Sequence, residues 1–145
     1  MCGIAGWVGA GGTREVLDAM LRVLEHRGPD DTGRRVDDEA ALGMTRLSII
    51  DAAGGRQPMT TADDGAALVF NGEIYNFREL RAELATRGRR CATRSDSEVL
   101  LRAWEEWGEA CVERLRGMFA FAIWDARHRR LLLARDRLGK KPLYY

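Results

Sequence analysis

No stretch of this chain approaches the ~20 consecutive apolar residues that a bilayer-spanning helix requires. Nor does it open with a basic segment, an apolar core and a small-residue cleavage site, so neither a membrane span nor a secretory leader is expected. Charge of one sign is lacking too. With 23 Lys and Arg against 22 Asp and Glu, the formal net charge is +1, which removes the general electrostatic case for nucleic acid or an anionic membrane surface as partner. Histidine is confined to His26 and His128, and Cys2, Cys91 and Cys111 form no Cys-x-x-Cys, so a structural zinc site has no ligand set to build on. Three thiols cannot all pair within one chain; without an export signal they are expected to be reduced, in a soluble, cytoplasmic protein. Gly-x-x-x-x-Gly-Lys-Ser/Thr is absent, and Gly9, Gly11 and Gly12 imitate a dinucleotide loop only loosely, with no acidic residue at the expected distance.

What is present is ordinary globular composition: 145 residues, 46% hydrophobic and 31% charged, enough for one domain with a sizeable core. The apolar run Ile4 to Val8 predicts a buried strand, broken by glycines from Gly9 to Gly12. Thr13 is placed to cap a helix with Val16, Leu17, Met20, Leu21 and Leu24 at helical spacing, stopped at Gly28-Pro29. Ala40 to Ile50 reads as extended, and Ala66 to Phe70 is a second apolar run that halts at Asn71-Gly72. Asn76 with Glu79 predicts a capping box for a helix through Leu80 and Leu84. Ser95 or Ser97 opens another helix, with Val99, Leu100, Ala103, Trp104 and Trp107 on one face. Met118 to Trp124 is apolar without alternation, which predicts a strand covered on both faces, and a turn over residues 125–130 leads into a hairpin partner at Leu131 to Ala134. Strands clustered between groups of helices argue for a layered α+β fold.

Cys2 carries the chemistry that composition does not. Removal of the initiator methionine would join a thiol and an α-amine on one residue, and an α-amine, with a pKa of roughly 7.7–8.0, can take the thiol proton near neutral pH. Acyl transfer then requires donors aimed at the developing oxyanion. Asn71-Gly72 offers a side-chain amide and an unobstructed N–H, although the same dipeptide is the strongest short signal for a type I′ turn. Arg46 can grip a carboxylate with its guanidinium fork, or serve as a structural ion pair. Glu73 and Asp96 can hold an ammonium group, Asp96 alternatively capping the helix that follows it. Cys91, beside Arg89, Arg90 and Arg94, is either a thiol of lowered pKa or an inert one, and Cys111 reads as a small buried apolar residue.

In combination these residues resemble the glutaminase domain of the class II glutamine amidotransferases, and specifically its asparagine synthetase branch. The matching segments are Met1-Cys2-Gly3-Ile4, His26-Arg27-Gly28-Pro29-Asp30, Arg46 to Asp51, Gln57-Pro58, Asn71 to Asn76, Ser95-Asp96, Gly117 to Phe121, and Arg135-Asp136 leading to Gly139 and Pro142-Leu143-Tyr144. The resemblance implies a four-layer αββα sandwich of the N-terminal nucleophile hydrolase type. It implies that Cys2 attacks the side-chain amide of glutamine, that Asn71 and Gly72 form the oxyanion hole, and that Arg46 binds the substrate carboxylate with backbone contacts from Leu47, Ser48, Ile49 and Ile50. Glu73 and Asp96 would take the α-ammonium, and no metal or cofactor is implied in this chain. The family pairs such a domain with a synthetase domain that uses ATP and Mg²⁺ to amidate aspartate. Its Ser-Gly-Gly-x-Asp-Ser loop has no counterpart here, so residues 1–145 are expected to be the first part of a glutaminase domain, incomplete at the C-terminus. A homodimer, another ammonia acceptor such as a secondary-metabolite carboxylate, a cysteine amidase acting on a different amide, and an inactive domain kept for interaction are the alternatives left open.

Overall fold

Apolar residues arrive here in strands whose two faces are both covered, and that sets the layering. The computed structural model describes residues 1–9, 12–47 and 54–145. Strand β1 (Gly3–Val8) pairs antiparallel with β3 (Ala40–Arg46), Gly3 opposite Thr45, and β2 (Asp31–Val36) takes the other edge of β3. The second sheet follows sequence order: β4 (Met59–Thr60), β5 (Ala66–Ile74), β6 (Gly117–Asp125) and β7 (Arg130–Arg135), all antiparallel. Helix α1 (Arg14–Leu24) packs on β1 and β3; α2 (Phe77–Thr86), α3 (Asp96–Trp107) and the short α4 (Cys111–Arg114) lie on the far side of the second sheet. Helix, sheet, sheet, helix is the expected αββα order.

Strand alternation distributes the core among three layers. Ala40, Leu42 and Met44 face Ala67, Val69, Ala122 and Trp124 across the seam between sheets, while Ala41 turns outward onto Leu17 and Leu21 of α1. On the other side Leu68, Phe70, Phe119, Phe121 and Ile123 meet Leu80, Leu84, Val99, Leu100 and Leu101. Each fully buried Leu or Phe contributes roughly 1.5–3 kcal/mol of transfer free energy. Strand β6, central between β5 and β7, accounts for the run from Met118 that shows no polar alternation.

Helix starts follow the sequence at Thr13, whose Oγ1 accepts from the Val16 N–H, and at Ser95, whose Oγ accepts from the Ser97 N–H. They depart from it at Asn76. Its side chain makes no cap; instead Nδ2 donates to the Arg114 carbonyl and Oδ1 accepts from the Arg116 N–H, clasping the segment that leads into β6. The second apolar run does not halt at Asn71-Gly72 but continues as strand to Ile74, so that dipeptide is no turn. Strands β2 and β4 were invisible in the sequence because one is polar, Asp-Thr-Gly-Arg-Arg-Val, and the other is two residues long. Cys111 is buried, which pushes its thiol up to about 12. Cys91 is half-buried, and desolvation followed by the nearby Glu98 raises its pKa, which agrees with the inert reading and not with the lowered one. Among the described residues no helix is long and apolar enough to cross a membrane.

Candidate active site

The register of β1 against β3 places Cys2, one residue before Gly3, beside Arg46, one residue after Thr45. The Cys2 Sγ–H donates weakly to the Leu47 carbonyl at 3.7 Å, and Arg27 Nε donates to the Cys2 carbonyl at 3.1 Å. Arg27 reaches it from the 3₁₀ turn Glu25–Arg27, which closes tightly on β3: a Cβ on Gly28 would lie 2.4 Å from the Thr45 carbonyl oxygen. Arg46 is buried, with 6% of its surface exposed, and its side chain lines the same cleft as Cys2. Met1 lines it too, its Sδ accepting from Lys141 Nζ at 2.6 Å, and Lys141 is itself buried.

The opposite wall is the edge of β5. Because β4 has only two residues, pairing with Leu68 and Ala67, the edge beyond Leu68 meets, among the described residues, side chains rather than another strand. The Phe70 N–H donates to Gln57 Oε1 at 2.6 Å and the Ile74 N–H donates to Asp96 Oδ2 at 3.0 Å. Alternate N–H groups of a strand point to one edge, so the Gly72 N–H, midway between these two, points the same way. Gly72 has φ +156°, and a Cβ there would stand 2.1 Å from the Met118 carbonyl oxygen of β6; only glycine lets the strands meet. Asn71, on the seam face with Ala67 and Val69, is buried and lines the cleft into which Cys2 projects.

Asp96 is the first residue of α3, held by its cap at Ser95. Burial raises its carboxyl pKa above the ordinary value; N–H groups of Ile74, Asp96 and Ser97 oppose that rise, and the neighbouring Glu73 carboxylate adds to it. Two carboxylates in one pocket, one of them buried, make a site that a cation would relieve. Among the described residues no group of three or more His, Cys, Asp or Glu stands together as a metal site.

Cys2, Arg46, Leu47, Asn71, Gly72, Glu73 and Asp96 therefore line one cleft. Ser48, Ile49 and Ile50 lie outside the described residues. Met1, Gln57, Ser97, Met118 and Lys141 also line it and carried no assigned role. For Gln57 and for Arg27 the signal was their place in matched segments; Lys141, among basic residues before Pro142, offered none. A thiol, a side-chain amide beside a strand N–H, a guanidinium and a pair of carboxylates form an array suited to holding a zwitterion while a nucleophile attacks its amide.

The helix–sheet–sheet–helix sandwich, with the Cys2 thiol just ahead of its first strand, has the layering expected of the N-terminal nucleophile type. Residues 1–145 match the glutamine amidotransferase domain family, and the chain belongs to it. It is 44% identical, over 100% of its length, to asparagine synthetase [glutamine-hydrolyzing] 3 of Bacillus subtilis (strain 168), of which the match covers 25%. It is 46% identical over 90% of the chain to asparagine synthetase [glutamine-hydrolyzing] 1 of the same organism, covering 21% of that protein. A putative asparagine synthetase [glutamine-hydrolyzing] of Mycobacterium tuberculosis (strain ATCC 25618 / H37Rv) is 44% identical over 99% of the chain and 25% of its own length. The chain thus spans about a quarter of the length of the curated relatives it matches. Among solved structures, the glutamine phosphoribosylpyrophosphate amidotransferase from B. subtilis, complexed with ADP and GMP, superposes with a TM-score of 0.77 at 21% identity, over 94% of this chain and 37% of the other. At that identity the likeness speaks for the fold.

Proposed function

We propose that this chain is the glutamine-hydrolysing part of an asparagine synthetase, releasing ammonia from the side-chain amide of glutamine. The observation that carries the reading is the meeting of Cys2 and Arg46 with Asn71, Gly72 and Asp96 in one cleft. Met1 occupies part of that cleft, so its removal both frees the Cys2 α-amine and clears space for substrate. Arg46 then grips the α-carboxylate of glutamine, with the backbone after it in support, and Glu73 and Asp96 take the α-ammonium. The Cys2 α-amine accepts the thiol proton, and the thiolate sulfur bonds to the amide carbon. The oxygen that becomes negative is held by the Asn71 side-chain amide and the Gly72 N–H. Collapse of this intermediate breaks the carbon–nitrogen bond, the protonated Cys2 α-amine gives its proton to the leaving nitrogen, and ammonia leaves. Water then cleaves the γ-glutamyl thioester to glutamate and regenerates the thiol.

The names of the relatives support an ammonia acceptor of the asparagine synthetase kind: a synthetase domain in the same polypeptide, ATP- and Mg²⁺-dependent, amidating aspartate as a ligase. None of the steps above runs through those groups. A cytoplasmic setting suits a thiol nucleophile that must stay reduced. In the full protein, replacement of Cys2 by Ala is expected to abolish glutamine-dependent ammonia release while intact mass shows Met1 removed from the wild type. Persistent release from the variant refutes the assignment.

A further inference from the structure

Gln57 lies on the segment between β3 and β4 with 8% of its surface exposed, and its amide is engaged at both ends. Oε1 accepts from the Phe70 N–H at 2.6 Å, and Nε2 donates to Ser97 Oγ at 3.0 Å. Phe70 immediately precedes Asn71, and Ser97 immediately follows Asp96. One buried side chain therefore ties the strand that carries the oxyanion donors to the helix that carries the ammonium acceptor. A second tie, Ile74 N–H to Asp96 Oδ2 at 3.0 Å, runs between the same two elements four residues farther along β5. The two links bracket Gly72 and leave its separation from Asp96 little freedom.

Resting on the glutaminase reading, we propose that Gln57 is a positioning residue that sets the distance between the oxyanion donors and the ammonium acceptor, and so selects glutamine over its one-methylene-shorter homologue asparagine. The length of the substrate is measured between these two ends, its amide carbonyl at Asn71 and Gly72, its α-ammonium at Asp96. A displacement of about 1 Å in such an arrangement costs on the order of 10²-fold in rate. Gln57 also lines the cleft, with its amide already committed to β5 and α3, so its influence on substrate passes through Asn71 and Asp96.

The test uses the full protein with two substitutions. Gln57→Leu keeps the approximate volume and removes both bonds; Ser97→Ala cuts only the far one and leaves the cap bond of the Ser97 N–H intact. Ammonia release from glutamine and from asparagine is measured alongside thermal midpoints. For Gln57→Leu, kcat/KM on glutamine is expected to fall on the order of 10²-fold with a raised KM, and the glutamine-to-asparagine ratio to drop at least tenfold. Ser97→Ala should move both in the same direction by a smaller factor, and it carries the test should Gln57→Leu fail to fold. If the folded variants melt earlier but keep the wild-type KM and the wild-type ratio, Gln57 only seals the edge of β5 and the proposal is overturned. Absence of ammonia release from glutamine by the wild type is a different result, and it overturns the glutaminase reading itself.

Discussion

Gly72→Ala joins the fold to the chemistry most directly. The added Cβ would lie 2.1 Å from the Met118 carbonyl oxygen and 2.6 Å from Phe119 Cα, both backbone atoms of the central strand β6. Backbone cannot rotate away as a long side chain can, so β5 must retreat from β6 by about 1 Å, at a cost of roughly 1–3 kcal/mol for the overpacking. The positive φ of +156° adds strain of its own. The retreat carries Asn71 and the Gly72 N–H with it, and a shift of that size takes on the order of 10²-fold from turnover. Thermal denaturation of the full protein should show a folded variant with a lowered midpoint, and steady-state ammonia release should show kcat reduced far more than the midpoint alone explains. Wild-type kcat in a folded Gly72→Ala protein would refute the placement of this N–H at the reacting oxygen.

Two further outcomes concern acidity. Asp96, whose pKa is raised chiefly by burial, must be ionised to hold an ammonium, so the KM for glutamine should climb as pH falls through that raised value, before ordinary carboxylates protonate. The stability of the substrate-free protein runs the other way, improving as the buried charge is neutralised, and Asp96→Asn should melt higher at neutral pH while binding glutamine worse; a KM that is flat over this range removes Asp96 from substrate binding. Asp136 is the opposite case: desolvation pushes its pKa up, but the N–H groups of Lys140, Lys141, Phe119 and Leu138 outweigh it and hold it below the ordinary value. Its contribution is present above the unfolded carboxylate pKa and is lost as pH falls through the lower folded value. Asp136→Ala, which strands the buried N–H groups of Phe119 and Lys141, should cost on the order of 3 kcal/mol in denaturant unfolding at neutral pH, and a loss below 1 kcal/mol would refute its role as their anchor.

Much of this architecture was legible residue by residue. Runs of apolar residues without alternation marked β5 and β6, strands covered on both faces. The same kind of run marked β1, which is an edge strand and not the buried one expected, with Val8 45% exposed. Cys2, Arg46, Asn71 and Asp96 were each ambiguous on residue type alone; their place in the matched segments joined them, and the fold brings them to one cleft. Polar β2 gave no periodic signal, since its burial comes from pairing with β3 and not from its own side chains. The Asn71-Gly72 turn signal misled because the local preference for a tight turn yielded to pairing along the full length of β6. Asn76 looked like a cap because its partners, the backbone at Arg114 and Arg116, are far away in sequence. Gln57 could be quoted as part of a motif but not given a task, for its two bonds span residues that only the folded chain brings near each other.

The brevity of β4 has a consequence for the whole molecule. Were that strand four residues longer at its start, its carbonyls would zip onto the N–H groups of Phe70 and Gly72 and continue the sheet. The same zipping would stop up the backbone donor on which hydrolysis is proposed to depend. Among the described residues, sheet pairing that breaks off after two residues hands the rest of this edge to a glutamine and an aspartate, which hold the backbone on either side of Gly72.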